Sequence, residues 1–299
     1  MLGMTAFAYQ TTPKDAADWL ETARKAEANG FDTLLSPDHP GACTAPHVAL
    51  AAAAAVTSTI KLGAYVANAG VREPMLLATD VATLDVVSGG RAILGIGAGH
   101  TPAEWASVGL TRPDVAGRVE RCIAVAEATR RLLAGEEVTV DTPALTMTAA
   151  KLAKPRPVQE KVPLLFGGGN SRLLRWAAEE ADIIGLAGIG RTRPDGYQHD
   201  VRWRLESLDE QFAPVRGKVL EALVQMFAVT DDPESVLGEW TGDVGLSVDE
   251  LLRVPFILVG TIEEIAASIR EHERRWGITR YALRGDALDH LPELIKALG

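Results

Sequence analysis

Two histidines, each following a short apolar run and each accompanied by an acidic residue, are the side chains of this sequence best suited to proton transfer. The segment FDTLLSPDHP ends in Asp38 and His39, and RAILGIGAGHTPAEW places His100 four residues before Glu104. Because the pKa of histidine lies near neutrality, His39 and His100 could serve as acid or base, with Glu104 as a second ionisable group. The alternatives are a loop histidine that is only bonded by Asp38 and a Glu104 that is only solvated.

A glycine triplet in VPLLFGGGNSRLLRW could bind an anion. Gly167, Gly168 and Gly169 join an apolar run to the predicted start of a helix, where backbone N–H groups and the helix dipole favour a phosphate. Arg172 could add positive charge. The spacing matches neither a Walker loop nor a GxGxxG motif, so a tight turn between strand and helix is an equal alternative.

Glycines also end the apolar run in AILGIGAGH. Gly95, Gly97 and Gly99 leave the strand end without bulk, so a planar ligand could lie there with His100 at its edge. The same glycines could instead mark tight packing within the fold. Asn68, in the segment ANAG, offers both a donor and an acceptor, although the residues alone favour a simple turn.

These residues stand at or near the ends of predicted strands in one repeating pattern. Short β-branched runs alternate with longer segments of helical periodicity, which is typical of a parallel sheet covered by helices. The predicted strands are Met4–Ala8, Phe31–Ser36, Ile60–Val66, Ala92–Ile96, Val162–Phe166, Asp182–Leu186, Leu220–Val229 and Thr279–Arg284. The predicted helices are Lys14–Asn29, His47–Thr57, Pro74–Val87, Val115–Ala134, Ser171–Ala181, Val201–Phe212, Ile262–Trp276 and Ala287–Leu298. The pattern predicts an α/β fold, a (β/α)8 TIM barrel, whose strand ends share one mouth.

The barrel is predicted to form a single domain over residues 1–299, because the chain has neither a Gly/Ser-rich linker nor a tandem repeat. Three segments are interpreted as insertions: residues 135–161, residues 187–200 with Arg191, Arg193 and Pro194, and residues 231–255. The most distinct helix has Thr261 as its N-cap, Glu264 completing a capping box, and Gly277 at its end.

Composition limits the classes of partner. The chain has 30 basic and 40 acidic residues, a formal charge of -10, which argues against binding to nucleic acid or to an anionic membrane. The longest apolar run, Val48–Val56, is far shorter than the roughly 20 residues that span a bilayer, and no basic leader precedes the first apolar stretch. Cys43 and Cys122 lack metal-ligand spacing, so we interpret them as reduced, which favours a cytoplasmic location.

The sequence lacks the motifs of several self-sufficient catalysts. It has no HExxH motif, CxxC pair or carboxylate cluster, so we expect no metal. No serine lies in a nucleophile elbow. An organic cofactor is therefore the expected source of chemistry, acting on a small-molecule substrate.

Three segments resemble the bacterial luciferase-like superfamily, and specifically its F420-dependent oxidoreductases: GFDTLLSPDH, ANAGVREPMLLATDVATLDVVSGGRAILGIGAGHTPAEWASVGL and VPLLFGGGNSRLLRWAAEEADIIGL. The later segment FILVGTIEEIAASI is similar to the penultimate helix of that family, so the resemblance covers nearly the whole chain. It implies a (β/α)8 barrel that binds a flavin or a 5-deazaflavin at the C-terminal mouth.

The resemblance also implies roles for individual residues. His39 matches the histidine beside the reactive ring, and Asp38 matches its ring-binding neighbour. Ala67 and Asn68 match a bulge after the third strand, often with a cis peptide bond, that backs the ring. The segment that lines the ring in the family is matched by Ala98, Gly99 and His100. The phosphate loop is matched by Gly167, Gly168, Gly169, Asn170 and Arg172.

One position departs from the pattern. The deazaflavin-dependent sugar-phosphate dehydrogenases of the superfamily carry a glutamate acid where this chain has His100. The resemblance therefore disfavours sugar-phosphate oxidation. An imidazole could still serve as the acid, with Glu104 assisting it.

The resemblance and the residues together predict an enzyme that transfers a hydride between C5 of coenzyme F420 and a small organic substrate. His39, His100 and Glu104 are the predicted catalytic residues. An FMN-dependent monooxygenase is the nearest alternative, and a barrel that binds a ligand without turnover is another. Because the superfamily commonly pairs barrels, we also consider a homodimer.

Overall fold

A closed parallel barrel forms the centre of the molecule. The computed structural model describes residues 5–192, 199–201 and 203–299. Its strands are β1 Ala6–Gln10, β2 Thr33–Ser36, β3 Lys61–Ala64, β4 Ala67–Asn68, β5 Ala92–Gly97, β6 Glu137–Thr142, β7 Leu145–Lys151, β8 Leu164–Gly167, β9 Ile183–Leu186, β10 Ile189–Thr192, β11 His199–Val201, β12 Leu220–Leu223, β13 Met226–Val229, β14 Ile257–Gly260 and β15 Ile278–Leu283. The barrel order is β3-β2-β1-β15-β12-β9-β8-β5, and β3 pairs with β5 to close it. The predicted (β/α)8 fold is confirmed.

Helices lie outside the barrel. They are α1 Ala16–Ala28, α2 Pro46–Ala54, α3 Pro74–Ser88, α4 Pro102–Ser107, α5 Val115–Leu133, α6 Ser171–Glu180, α7 Leu205–Phe212, α8 Pro233–Val244, α9 Val248–Leu251, α10 Ile262–Trp276 and α11 Ala287–Leu298. The capping box of Thr261 and Glu264 opens α10, and Gly277, with φ of 74°, ends it, as the sequence predicts. Among the helices that the structure describes, none is long and apolar enough to cross a membrane.

Two apolar layers hold the barrel strands in place. The larger layer lies between the barrel and the helices. The smaller one fills the barrel interior and consists of Ala8, Leu35, Tyr65, Ile93, Leu165 and Ala282. Because both faces of a barrel strand are covered, all six residues of β5 are buried. Residues that follow the C-terminal strand ends are therefore presented from a rigid frame.

The backbone bulges between β3 and β4. The peptide bond between Tyr65 and Val66, within this bulge, is cis. The predicted position of the bond, at Ala67–Asn68, is wrong by two residues, because the chain resumes its pairing with β5 at Ala67 and Asn68 as β4. The predicted strand Ile60–Val66 accordingly ends early, at Ala64.

Four glycines on neighbouring strands make room for this bulge: Gly95, Gly97, Gly167 and Gly185. A Cβ atom on any of them would overlap the backbone of Ala64 or the side chains of Tyr65 and Val66. The sequence allows two interpretations of Gly95 and Gly97, space for a planar ligand or tight packing within the fold. The overlaps with Ala64 and Val66 favour tight packing.

The predicted strand Leu220–Val229 is wrong as one element, because the chain changes partners in its middle. The backbone N–H of Val224 donates to Ala282 on β15, but that of Gln225 donates to Phe256. As a result β12 stays in the barrel, while β13 pairs in parallel with β14 outside it.

The predicted insertions lie between barrel elements. Residues 135–161 contain the antiparallel hairpin of β6 and β7, and residues 231–255 contain α8 and α9. In residues 187–200, β10 pairs with β11. Arg193 and Pro194 lie outside the described residues, and the helix predicted to begin at Val201 begins instead at Leu205.

Candidate active site

Three predicted site residues from three strand ends form one hydrogen-bonded network at the mouth. His39 follows β2, Asn68 ends β4, and Glu104 lies on the short helix α4 after β5. His39 Nδ1 lies 2.7 Å from Glu104 Oε1, and Asn68 Nδ2 donates to Glu104 Oε2 at 2.5 Å. The Glu104 side chain is only 6% exposed, so the alternative that it is a solvated surface residue is wrong.

The network controls the protonation of His39. The hydrogen bond to Glu104 raises the pKa of His39, while burial of the ring and the charge of Arg284 oppose this rise. With the carboxylate of Glu104 as acceptor, the proton on Nδ1 is fixed and Nε2 is the ring nitrogen left to exchange a proton. The arrangement suits a histidine that takes up or releases one proton near neutral pH.

His100 lies beside this network. Its ring meets the ring of His39 edge to face, with their centroids 5.5 Å apart. Gly99, which precedes it, has φ of 67°, and a Cβ there would overlap Oδ1 of Asn68. Gly99 therefore allows the chain to turn past Asn68 and to place both histidines at the same mouth, as predicted.

Asp38 has a structural role within the site. Its buried carboxylate accepts hydrogen bonds from Arg72 Nε at 2.5 Å and Arg72 Nη2 at 2.7 Å. It also accepts one from the backbone N–H of Asn68 at 2.9 Å. Both oxygens are thus occupied, and Asp38 orients Asn68, which in turn holds Glu104.

The glycine loop after β8 offers fewer donors than its sequence indicates. The Gly168 N–H donates to the carbonyl of Gly185, and the N–H groups of Arg172 and Leu173 donate to the Asn170 side chain, which caps α6. Within the described chain, the N–H groups of residues 169, 170 and 171 have no acceptor and remain for an anion.

The side chain of Arg172 does not join this loop. It is exposed and lies 3.4 Å from Glu120 on α5. The structure thus separates Arg172 from the backbone donors that the sequence groups with it.

Two arginines that sequence reasoning missed lie near the end of β5. Arg118 Nη1 donates to the carbonyl of Gly99 at 3.1 Å. Burial lowers the pKa of Arg118, and the positive charge of nearby Arg112 lowers it further. The Nε atoms of both arginines are buried without a hydrogen-bond partner. A signal was available, because Arg118 falls in the first turn of a predicted helix, where the helix dipole disfavours a cation.

A third arginine that sequence reasoning missed lies at the end of β15. Arg284 donates from Nε to Gln10 Oε1 at 2.6 Å and from Nη1 to Gln225 Oε1 at 3.3 Å. Its side chain shares the inner face of β15 with Ala282, one of the residues inside the barrel. The alternation of inner residues along β15 is the signal that could have identified it.

Comparison with known proteins relates these elements to a family. The family model described as luciferase-like monooxygenase matches residues 2–237. A 5,10-methylenetetrahydromethanopterin reductase of Methanolobus tindarius is 27% identical over 285 residues, covering 83% of this chain and 84% of the relative. The structure of the coenzyme F420-dependent tetrahydromethanopterin reductase from Methanopyrus kandleri has a TM-score of 0.75 at 20% identity and covers 99% of each chain.

A second solved structure is an F420-dependent secondary alcohol dehydrogenase in complex with an F420-acetone adduct. It has a TM-score of 0.75 at 20% identity and covers 99% of this chain and 100% of that one. At such identities these two likenesses show the shared barrel. The family model matches most of the sequence, and this chain therefore belongs to the luciferase-like monooxygenase family.

Proposed function

We propose that this protein is an F420-dependent oxidoreductase that transfers a hydride between the deazaflavin and a small organic substrate at the C-terminal mouth of the barrel. The observation that carries the proposal is the network of His39, Glu104 and Asn68, which orients one histidine at the mouth. The F420-dependent enzymes among the similar proteins support the choice of cofactor.

The anionic end of the cofactor fits the side of the mouth between β5 and β8. Unoccupied backbone N–H groups of Gly169, Asn170 and Ser171 lie at the start of α6. Arg112 and Arg118 add two guanidinium groups whose Nε atoms have no partner in the described chain. Donors of this kind, held in place before binding, are what a phosphate requires.

The flat end of the cofactor fits against the backbone at the bulge and at Ala98 and Gly99. When bound, F420 supplies the carbon that accepts or gives up the hydride.

The side chains of this protein manage the proton that accompanies hydride transfer. Glu104 holds Nδ1 of His39, so His39 gives a proton to, or takes one from, the substrate oxygen through Nε2. His100 packs against the edge of His39 and is the second group able to handle a proton there. Asp38 and Arg72 support the network from behind through Asn68.

Cofactor titration tests the proposal. Purified protein is titrated separately with F420 and with FMN, and binding is followed by the absorbance and fluorescence of each cofactor. We expect F420 to bind with a Kd in the micromolar range, about -8 kcal/mol, and FMN to bind at least about tenfold more weakly.

Variants sharpen the same test. Arg118→Gln should weaken F420 binding, whereas Arg131→Gln, which removes an exposed arginine on the same helix, should not. Tight binding of FMN in place of F420 would favour the monooxygenase alternative. Binding of neither cofactor would overturn the proposal.

A further inference from the structure

Arg284 is a partly buried cation at the mouth, and its hydrogen bonds among the described residues all go to neutral groups. Its two hydrogen bonds go to the carboxamide oxygens of Gln10 and Gln225. Both carboxamides are held in that orientation, because Gln10 Nε2 donates to the carbonyl of Tyr65 at 2.6 Å and Gln225 Nε2 donates to that of Leu223 at 3.2 Å. The site thus presents the guanidinium in a fixed position.

Two other arginines that lie largely inside the described part of the protein have acidic partners. Arg72 binds Asp38, and Arg280 binds Asp32. In the described part of the chain no carboxylate pairs with Arg284, and burial lowers the pKa of its guanidinium. A partly buried charge without a counterion is costly, and an anion supplied from outside the protein would offset that cost.

Arg284 still has donors for such an anion. A guanidinium has five N–H groups, and two are used by the glutamines, which leaves three that meet no acceptor among the described residues. Nη2 makes no hydrogen bond and is not among the buried atoms, so it faces solvent at the mouth. The charge of Arg284 also opposes the effect of Glu104 on the pKa of His39, and both residues follow the C-terminal ends of barrel strands.

We propose that Arg284 binds an anionic group of the substrate, a carboxylate or a phosphate, and thereby restricts the enzyme to acidic small molecules. The inference rests on the proposed function, because it assigns the substrate to the mouth that holds His39. Gln10 and Gln225 position the guanidinium so that two oxygens of a carboxylate or a phosphate can accept two of its N–H groups at once.

The test compares an anion with its neutral isostere. Acetate, inorganic phosphate and acetamide are titrated calorimetrically into the intact protein, with and without saturating F420. We expect acetate or phosphate to bind at least tenfold more tightly than acetamide, and F420 to leave that preference in place. Whichever of acetate and phosphate binds more tightly identifies the anionic group.

Variants assign the preference to one side chain. Arg284→Gln should remove it, Arg284→Lys should retain part of it, and Arg131→Gln should leave it unchanged. Thermal unfolding of each variant confirms that the fold is intact. The partial retention in Arg284→Lys separates loss of charge from loss of fold.

The unfavourable outcomes are distinct from one another. Equal binding of acetate and acetamide, or a preference that survives in Arg284→Gln, overturns the inference. If F420 displaces the anion, Arg284 binds the cofactor rather than the substrate, and the inference is overturned. Failure of F420 to bind, with the anion preference still lost in Arg284→Gln, overturns the proposed function but leaves an acidic ligand at Arg284.

Discussion

Arginine side chains at the two ends of the barrel have different kinds of partners. Arg280 lies on the inner face of β15, two residues before Ala282, and Arg284 directly follows the strand, two residues after Ala282. At the closed base, Arg280 donates to Asp32 at 2.8 Å and to Glu221 at 3.2 Å. Arg280 thus pairs with two acidic residues of the protein, while Glu221 Oε1 has no hydrogen-bond partner among the described residues.

At the open mouth, Arg284 has only the amide oxygens of Gln10 and Gln225. Arg280 and Arg284 are thus only four positions apart. Arg280 is paired with acidic residues of the protein, whereas the proposal assigns Arg284 to a ligand. The difference shows that, in one barrel, charged residues near the N-terminal ends of the strands can stabilise the fold. Charged residues at the C-terminal ends can remain available to bind a ligand. Changes at one end should therefore affect stability, and changes at the other should affect binding and catalysis.

Removing the cation of the base should have the largest effect. Arg280→Met leaves the fully buried Glu221 and the nearby Asp32 without their shared partner, and losing one member of a buried ion pair costs about 3 to 5 kcal/mol. Urea unfolding at pH 7 measures this loss. Arg131→Met breaks an exposed pair with Glu136 and should cost less than about 1 kcal/mol. Equal losses in the two variants would contradict the role assigned to the base.

At the mouth, Glu104→Gln should lower kcat about 100-fold or more, near 3 kcal/mol, because His39 loses the carboxylate that fixes its proton. The same change should lower the pKa of His39, since the hydrogen bond to Glu104 is the main cause that raises it. Titration of the imidazole signals by NMR on the protein without cofactor measures this shift. Burial lowers the pKa of His272 to about 4, and that value should stay unchanged as the internal control. An unchanged pKa of His39 would refute the network.

The sequence predicts the strand-end members of the mouth because periodicity alone locates strand ends. His39, Asn68 and the glycine loop follow from that pattern and from the barrel it implies. The contact between His39 and Glu104 does not follow, because it depends on α4, a helix of six residues that is too short to show a helical period. The burial of Glu104 was therefore invisible in the sequence.

Residues on the inner face were harder to assign. The predicted end of the last strand is within one residue of the observed end, yet shifting a strand by one residue exchanges its two faces. Alternation along β15 offers a signal for Arg284, but deciding which of the two faces is the inner one needs the register between strands. The bulge at Tyr65–Val66 was misplaced for a related reason, since it is set by the backbone path through neighbouring glycines rather than by the side chains at the bulge.

A smaller effect at the base should appear as a pH dependence. Burial raises the pKa of Glu221 to about 7, against an ordinary value of 4.5. The folded state then binds this proton more tightly than the unfolded state does, so the free energy of unfolding should fall as pH rises from 4.5 to about 7, by about 2 kcal/mol. Urea unfolding at pH 5 and pH 7.5 tests this in the wild type and in Glu221→Gln. The variant should lose that decrease, and an identical pH dependence in both proteins would rule out Glu221 as its source.

The smallest effect should run in the opposite direction. Arg284→Met removes a buried cation that has no counterion in the described chain, so the free protein should become more stable by about 1 kcal/mol, measured by urea unfolding at pH 7. The same change at the base, Arg280→Met, should destabilise the protein, although the two residues are only four positions apart in the sequence. A loss of stability in Arg284→Met would mean that its bonds to Gln10 and Gln225 outweigh the cost of its charge, and the contrast between mouth and base would then fail.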